Sequence, residues 1–497
     1  MTVASFFPRP RLLLALASIA MVSAAGGAHA QPAFELADCR LDGVSVPARC
    51  GSLTVFEDRA AGAGRTLDLE IVVIPAVSDN ADPDPLFFLA GGPGQAATDL
   101  AGPTLPLFAD VRRSRDLVFV DQRGTGGSGR MRCAFFEGDS AEEAVGESLQ
   151  FDALPLDELR ECLAEVEAGA DPRQYTTPVA MDDLDAVRAA LGYERINLYG
   201  GSYGTRAALV YMRRHPDRVR TAVLDGLAPV AMRLPTNMNA DAHRALDRLF
   251  ADCAADPGCR EAFPDLPATF AAVLEELEAN PRRLDTTHPR TGEPFALEMS
   301  AVGFAGGLRN ALYNTTLSSL VPWTVTRAAA GDFAPFLAQL APLVESGEAI
   351  NVGMFLSVVC AEDVARLAAG EAERMAGEGM LGRLTMEVTN DACSVWPAAE
   401  LPDDYFEPVR SAAPALLLSG DLDPVTPPRW GETVMDGLTD ALHVVAPGAG
   451  HGVLPRGCTR DVVAEFIEAG THAGLDASCI ERLRRPPFLL SAAGTDP

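Results

Sequence analysis

Residues Arg195–Thr205 read R-I-N-L-Y-G-G-S-Y-G-T, and the rest of the chain is organised around them. The apolar run Ile196–Tyr199 predicts a short strand, and the pattern from Arg206 to Arg214 predicts a helix. Between them lies G-x-S-x-G, with Ser202 at its centre. Glycines two positions before and after the serine relieve the crowding of so abrupt a turn. The stretch therefore predicts a sheet edge that presents a serine beside the first N–H groups of a helix.

Two interpretations of Ser202 follow from this motif. The plainer one is an ordinary glycine-rich connection between a strand and a helix. The other is a nucleophile, which requires a base, an acid and an oxyanion hole elsewhere in the chain. The remaining sequence decides between them.

Composition limits the possible classes of protein. A chain of 497 residues, 48% hydrophobic and 22% charged, fits two or three globular domains or one large domain with an insertion. Its net charge of -29 argues against nucleic acid and anionic membranes as partners. All 40 basic residues are arginine, which excludes a Walker lysine, a Schiff base and a Ser–Lys pair.

Residues 1–30 have the features of a cleavable secretory signal peptide. Arg9 and Arg11 precede the apolar run Leu12–Ala25, and an A-x-A signature at Ala28–Ala30 comes directly before Gln31. The run is short for a membrane span, and no second long apolar run follows it. We therefore expect an exported, soluble protein without a stable membrane anchor, located in the periplasm or the medium.

All ten cysteines follow the predicted cleavage site. An even number in an exported chain favours disulfides over metal ligands, and neither C-x-x-C nor H-E-x-x-H occurs, so no metal site is predicted. The sequence leaves the connectivity open. The simplest arrangement pairs neighbours along the chain: Cys39–Cys50, Cys133–Cys162, Cys253–Cys259, Cys360–Cys393 and Cys458–Cys479.

Apolar strands alternate with helices over most of the chain, which predicts an α/β fold with a mostly parallel central sheet. The pattern becomes mainly helical in the middle of the chain, with a hairpin around Thr291–Pro294, and a helix is predicted to begin near Val364. We expect four parts: the signal peptide at 1–30, an N-terminal core part at 31–228, a helical cap insertion at 229–407, and a C-terminal core part at 408–497.

Two further glycine-rich loops follow predicted strands. In Gly91–Gly94, small residues let backbone N–H groups face a cavity, as an oxyanion hole requires. The loop from Asp121 to Gly129 literally contains G-x-G-x-x-G. No small apolar helix follows it, so a dinucleotide site is rejected. We expect a structural loop in which Asp121 and Arg123 are paired internally.

An acid and a base follow later strands. Asp423 comes after the predicted strand at 414–420, and His451, between two glycines, comes after the strand at 441–446. The order Ser202, Asp423, His451 is the chain order of α/β-hydrolases. Asp225, at the end of an earlier strand, is the alternative acid.

At these motifs the sequence resembles the secreted tripeptidyl aminopeptidases and proline iminopeptidases of the α/β-hydrolase superfamily. The resemblance covers nearly all of the mature chain and is nearest to the tripeptidyl branch. Ala90 departs from the pattern, since many relatives have histidine there, but that histidine is not a triad member. The matching stretches are Gly91–Gly94, Asp121–Gly124, Gly200–Gly204, Leu308–Tyr313, Cys360–Asp363, Asp423–Pro427 and Gly450–Gly452.

The resemblance implies an α/β-hydrolase fold with a helical cap, no cofactor, and acyl transfer to Ser202. His451 would be the base, and Asp423 would orient it. The backbone N–H groups of Gly92 and Tyr203 would form the oxyanion hole.

The resemblance also implies a peptide substrate with a free N-terminus, whose ammonium group relatives bind with carboxylates of the cap. Glu362 and Asp363 are the candidates here, and capping of a helix that begins near Val364 is the alternative interpretation. Two other functions stay open: an esterase with the same triad, and a non-catalytic binding protein on a hydrolase scaffold.

Overall fold

A computed structural model describes residues 1–2, 34–41, 43–133, 155–287, 294–345, 350–368, 370–371, 384–491 and 494. All but the first two residues of the predicted signal peptide lie outside these ranges.

A nine-stranded sheet runs through the molecule in the order β1-β2-β3-β5-β4-β6-β7-β10-β11. From β1 to β5 neighbouring strands pair antiparallel, and from β5 to β11 they pair parallel. These strands are β1 (Ala37–Cys39), β2 (Ala48–Phe56), β3 (Thr66–Ile74), β4 (Leu86–Leu89), β5 (Leu117–Val120), β6 (Ile196–Gly201), β7 (Val219–Asp225), β10 (Ala415–Gly420) and β11 (Ala441–Ala446).

The parallel strands are apolar because helices cover both faces of the sheet. β4 reads L-F-F-L and β5 reads L-V-F-V, and every one of these side chains is buried. This arrangement confirms the predicted α/β class. The strand β1 was not predicted, since it has three residues and only Cys39 is partly buried.

Fifteen α-helices can be labelled among the described residues. They are α1 (Ala101–Thr104), α2 (Leu156–Gly169), α3 (Thr177–Ala190), α4 (Tyr203–Arg214), α5 (Thr236–Ala255), α6 (Pro257–Ala262), α7 (Leu266–Ala279), α8 (Ala301–Leu312), α9 (Thr315–Ser318), α10 (Val321–Ala329), α11 (Ala334–Glu345), α12 (Val352–Glu362), α13 (Leu384–Val395), α14 (Pro428–Met435) and α15 (Thr459–Ala469). Short 3₁₀ turns lie at Thr98–Leu100, Leu105–Phe108, Val111–Arg113, Pro172–Gln174, Pro216–Arg218, Val364–Arg366 and Ile480–Arg482.

The segment between β7 and β10 contains helices α5 to α13 and a hairpin of β8 (Arg282–Thr287) with β9 (Pro294–Met299). Its helices share an apolar cluster that includes Phe250, Phe304 and Phe336. Phe488, from the C-terminal tail, is buried in the same cluster. The tail therefore packs on the helical segment, while the division of the chain at 229 and 407 stays a prediction.

The helix predicted to begin at Val364 is wrong at its start. Helix α12 ends at Glu362, and after a single 3₁₀ turn the backbone is extended at Leu367. Asp363, at the junction, has a φ of -118° and directs its carboxylate to Arg206 on another helix. Asp363 thus makes a long-range ion pair at the point where the predicted helix would begin.

Five disulfides join the ten cysteines as neighbours along the chain: Cys39–Cys50, Cys133–Cys162, Cys253–Cys259, Cys360–Cys393 and Cys458–Cys479. Such bonds are typical of proteins that fold in oxidising compartments. Among the described residues no helix combines the length and the apolar character that crossing a membrane requires.

Candidate active site

Ser202 lies at the junction of β6 and α4 in a strained backbone conformation. Its φ of 55° and ψ of -124° make it the sole non-glycine residue with positive φ in the part of the chain that the structure describes. Such a conformation costs about 1–3 kcal/mol and persists only where the surroundings enforce it. Here the Ser202 N–H donates to the Asp225 carbonyl at 2.9 Å, and Thr205 Oγ1 donates to the Ser202 carbonyl at 2.6 Å.

Close packing explains the glycines around Ser202. A Cβ on Gly200 would lie 2.3 Å from the carbonyl oxygen of Gly204, and a Cβ on Gly204 would lie 2.1 Å from the carbonyl oxygen of Leu89. No side chain fits at either position. The G-x-S-x-G spacing therefore follows from the approach of β4, β6 and α4 at the turn.

Asp423 and His451 are in direct contact. His451 Nδ1 lies 2.8 Å from Asp423 Oδ2, and the Asp423 side chain is fully buried. Its Oδ1 accepts the N–H groups of Val425 and Thr426, each at 2.8 Å. Burial alone would raise the pKa of Asp423, but the charge and hydrogen bond of His451 and these N–H groups hold it below its usual value. The arrangement keeps Asp423 ionised beside the imidazole.

Thr426 completes the surroundings of this pair. Its Oγ1 donates to Asp423 Oδ2 at 2.8 Å and lies 3.1 Å from His451 Nδ1. The His451 backbone N–H donates to the Tyr313 carbonyl at 3.0 Å, and the Tyr313 ring packs edge-on against the imidazole. The histidine is thus held between the sheet and the helical segment.

Asp225, the alternative acid, has different partners. Its carboxylate accepts the N–H groups of Val453 and Leu454 at 2.8 and 2.9 Å, and the Tyr199 hydroxyl at 3.0 Å. Burial raises its pKa against these bonds and the nearby charge of His451. Asp225 therefore anchors the loop that follows the histidine, whereas Asp423 makes the bond to the ring.

Ser202 and His451 both border the turn at Asp225–Gly226. The Asp225 carbonyl accepts the Ser202 N–H. A Cβ on Gly226 would lie 3.2 Å from His451 Cε1. The structure thus brings the three predicted triad residues to the same end of the parallel strands, and their catalytic roles stay predictions.

The predicted oxyanion loop lies against the serine. A Cβ on Gly91 would be 3.3 Å from Ser202 Cβ, and Gly92 has a φ of 106°. Tyr203 is the first residue of α4. The backbone N–H groups of Gly92 and Tyr203 therefore belong to segments that flank Ser202, as an oxyanion hole requires.

The surroundings of Glu362 and Asp363 differ from both interpretations of these two residues. Both side chains are fully buried. Asp363 makes a two-pronged ion pair with Arg206 at 3.0 and 3.1 Å, and Glu362 accepts the N–H and hydroxyl of Thr177. Asp363 makes no side-chain capping bond at the turn that follows. Helix capping is therefore wrong, and an occupied, buried site offers a substrate ammonium group no free surface.

The glycine-rich loop at 121–129 is structural. Arg123 is fully buried, and its Nε and Nη2 donate to Asp183 at 2.6 and 3.0 Å. Asp121 accepts the N–H and hydroxyl of Thr98. The expected internal pairing of Asp121 with Arg123 is therefore wrong, because Arg123 pairs with Asp183, outside the loop, and Asp121 is hydrogen-bonded to neutral groups.

Sequence reasoning did not assign four residues around the site: Thr426, Tyr313, Arg206 and Asn351. The first two lie inside stretches that carried the family resemblance, so a closer look at D-P-V-T-P could have found Thr426. Arg206, one turn beyond Ser202, looked like an ordinary polar position of a helix. Asn351 gave no local signal, since its partner is the carbonyl of Gly94, 257 positions away.

The chain is similar to several known proteins. Residues 380–479 match a family model described as TAP-like protein. The chain is 27% identical to Serine protease Hip1 of Mycobacterium tuberculosis over 467 residues, covering 88% of each chain. It is 24% identical to Tripeptidyl aminopeptidase of Streptomyces lividans over 494 residues, covering 93% of this chain and 88% of the relative.

A third similarity is more local. The chain is 30% identical to Proline iminopeptidase of Neisseria gonorrhoeae over 151 residues, which covers 30% of this chain and 34% of the relative. The chain is thus similar to TAP-like proteins over residues 380–479 and to a serine protease and an aminopeptidase over most of its length, and its sheet order and strand-to-helix turn at Ser202 fit an α/β-hydrolase fold.

Proposed function

We propose that this protein is an exported serine peptidase that removes single residues or short peptides from N-termini through an acyl-enzyme on Ser202. The observation that carries the proposal is the hydrogen bond from His451 to the buried Asp423, at the same edge of the sheet as the strained Ser202.

The proposed reaction is acyl transfer. Ser202 Oγ attacks the scissile carbonyl while the imidazole of His451 takes its proton and then delivers it to the leaving amine. Water attacks the resulting ester by the same route. The carboxylate of Asp423 orients the ring and stabilises its charged form, and Thr426 holds that carboxylate in place.

The oxyanion of each tetrahedral intermediate is assigned to the backbone N–H groups of Gly92 and Tyr203. Fixed donors of this kind need no reorganisation as charge develops, and losing one costs about 3 kcal/mol of transition-state stabilisation. The close approach of Gly91 to Ser202 supports this assignment.

The names of the relatives, tripeptidyl aminopeptidase and proline iminopeptidase, support a peptide substrate with a free N-terminus. Glu362 and Asp363 are no longer candidates for binding that ammonium group, because both are buried and paired. Export through a cleavable segment is supported by the pattern of residues 1–30 and by the five disulfides.

The test uses the protein expressed with its own first 30 residues. Intact mass should show that the mature protein begins at Gln31. Tripeptidyl-anilides and aminoacyl-anilides should be hydrolysed, and N-acetylation of the peptide should abolish turnover. Ser202→Ala should lower kcat by about 10⁶-fold. The matched control is Ser419→Ala, which removes another buried serine hydroxyl, one that bonds His443.

Two results would overturn the proposal. Turnover of simple acyl esters without any amide hydrolysis would identify an esterase. Turnover of neither class, with ligand binding unchanged in Ser202→Ala, would identify a binding protein.

A further inference from the structure

A buried chain of hydrogen bonds starts at the residue that directly follows Ser202. The ring of Tyr203 is 1% exposed, and its hydroxyl lies 2.6 Å from Oγ1 of Thr177, the first residue of α3. Thr177 Oγ1 in turn donates to Glu362 Oε2 at 2.9 Å. The Thr177 N–H donates to Glu362 Oε1 at 2.7 Å. Helices α3 and α4 are thus both linked by hydrogen bonds to the Glu362 carboxylate at the end of α12.

The chain of bonds has a direction. A threonine hydroxyl carries one proton, and the Thr177 proton is used in the bond to the carboxylate of Glu362. The same oxygen can then only accept, so the Tyr203 hydroxyl donates to it. The Tyr405 hydroxyl donates to Glu362 as well. Every step in this chain is made between groups that are buried.

A second tie joins the same two segments. Arg206, one turn along α4, is fully buried and donates hydrogen bonds from two guanidinium nitrogens to the Asp363 carboxylate. Its Nη2 also donates to the Met232 carbonyl at 2.8 Å. Breaking one member of such a buried charged set leaves the other uncompensated, which is strongly unfavourable. The first turn of α4 is therefore held by Glu362 and Asp363 together.

We propose that Glu362 is a positioning residue for catalysis: through Thr177 and the Tyr203 side chain it orients the Tyr203 backbone N–H toward the oxyanion. The inference rests on the proposed function, since it needs an oxyanion at this position. A backbone N–H stabilises developing charge only when it is closely aligned with the oxyanion. The hydrogen bond at the far end of the Tyr203 side chain restrains the residue and so sets the direction of its N–H.

The test separates this role from general stability. Tyr203→Phe and Thr177→Val each interrupt the chain of bonds without touching Ser202. Each should lower kcat about tenfold, less than the roughly 10²–10³-fold expected for loss of a whole donor, with KM within about twofold. A peptide boronic acid forms a tetrahedral boronate on Ser202, one oxygen of which mimics the oxyanion. Affinity for it should fall by the same factor. Thr177→Ser, which keeps the hydroxyl, should restore kcat.

The matched control is Tyr211→Phe on the same helix. Tyr211 is fully buried, and its hydroxyl donates to Asp185 Oδ1 at 3.0 Å, outside the chain of bonds that ends at Glu362. Its loss should lower the melting temperature about as much as Tyr203→Phe does, with kcat within about twofold of the wild type.

Equal losses of kcat in Tyr203→Phe and Tyr211→Phe would show a merely structural role and overturn the inference. So would wild-type kcat and boronic acid affinity in both Tyr203→Phe and Thr177→Val. A wild-type protein that turns over no substrate would overturn the proposed function and this inference with it. An active wild type with unaffected variants overturns the inference alone.

Discussion

Asp423 and Asp225 both lie close to His451, and their hydrogen bonds distinguish the two carboxylates. Asp423 contacts the ring nitrogen, while Asp225 holds the backbone two and three residues beyond the histidine. Because the pKa of Asp423 is held below its usual value, this carboxylate stays charged throughout the range in which histidines titrate. We therefore expect activity to fall toward acid pH as His451 becomes protonated.

Exchanging each carboxylate for an amide tests this assignment. Asp423→Asn should lower kcat by about 10⁴-fold, as amidation of a triad acid does in other serine proteases. The remaining activity should fall toward acid pH at a lower pH than in the wild type. The reason is that the Asp423 carboxylate no longer stabilises the His451 imidazolium. Asp225→Asn should cost about 1–3 kcal/mol of stability through an imperfectly satisfied buried site.

The measurements are kcat against pH and thermal unfolding for both variants. A larger fall in kcat for Asp225→Asn than for Asp423→Asn would make Asp225 the acid. That result would contradict the proposed triad.

At the scale of elements, the helical segment helps to shape the predicted oxyanion loop. The backbone N–H and the side-chain Nδ2 of Asn351 both donate to the Gly94 carbonyl, at 3.0 and 2.8 Å. Beside them, a Cβ on Gly92 would lie 3.2 Å from Cδ1 of Ile350. The residues that precede α12 are therefore packed directly on the loop that faces Ser202.

Removing the Asn351 side chain should loosen this loop. We expect Asn351→Ala to lower kcat several-fold and to cost about 1 kcal/mol, the usual contribution of one hydrogen bond. The control is Asp265→Ala, which removes the N-cap bond to Ala268 at the start of α7 and should cost a similar amount. Steady-state kinetics and melting temperatures of the two variants decide the matter. Equal effects on kcat would refute a specific role for Asn351.

At the scale of the molecule, the disulfides close loops of different length. Cys360–Cys393 joins α12 to α13 across 33 residues, and Cys253–Cys259 joins α5 to α6 across 6. In the chain-entropy account, a longer closed loop restricts the unfolded chain more.

Replacing each pair by alanine should therefore have unequal effects. We expect a loss of about 4 kcal/mol without Cys360–Cys393 and of about 2 kcal/mol without Cys253–Cys259. Melting temperatures of the two double variants, measured under oxidising conditions, provide the check. The opposite order would mean that native contacts around these cysteines outweigh the unfolded-state effect.

The local pattern of the sequence was enough to predict most of the fold. The central strands are short, strongly apolar runs, so their positions depend on residues within a few places of each other. Strand β11 has the predicted bounds, 441–446. The turn at Ser202 was predictable from its G-x-S-x-G pattern, although only Gly200 is required by a contact within the turn, with the Gly204 carbonyl, whereas Gly204 is required by the carbonyl of Leu89 on β4.

The partners of buried charges were decided by the tertiary structure alone. Glu362 and Asp363 looked like free cap carboxylates, yet they meet Thr177 and Arg206, which lie 185 and 157 positions away. A contact between two separate loops, from His451 to Asp423, favours Asp423 over Asp225 as the acid of the proposed triad. A sequence shows which residues can carry charge, but burial and long-range pairing decide whether that charge is available to a substrate, because both depend on how the whole chain packs.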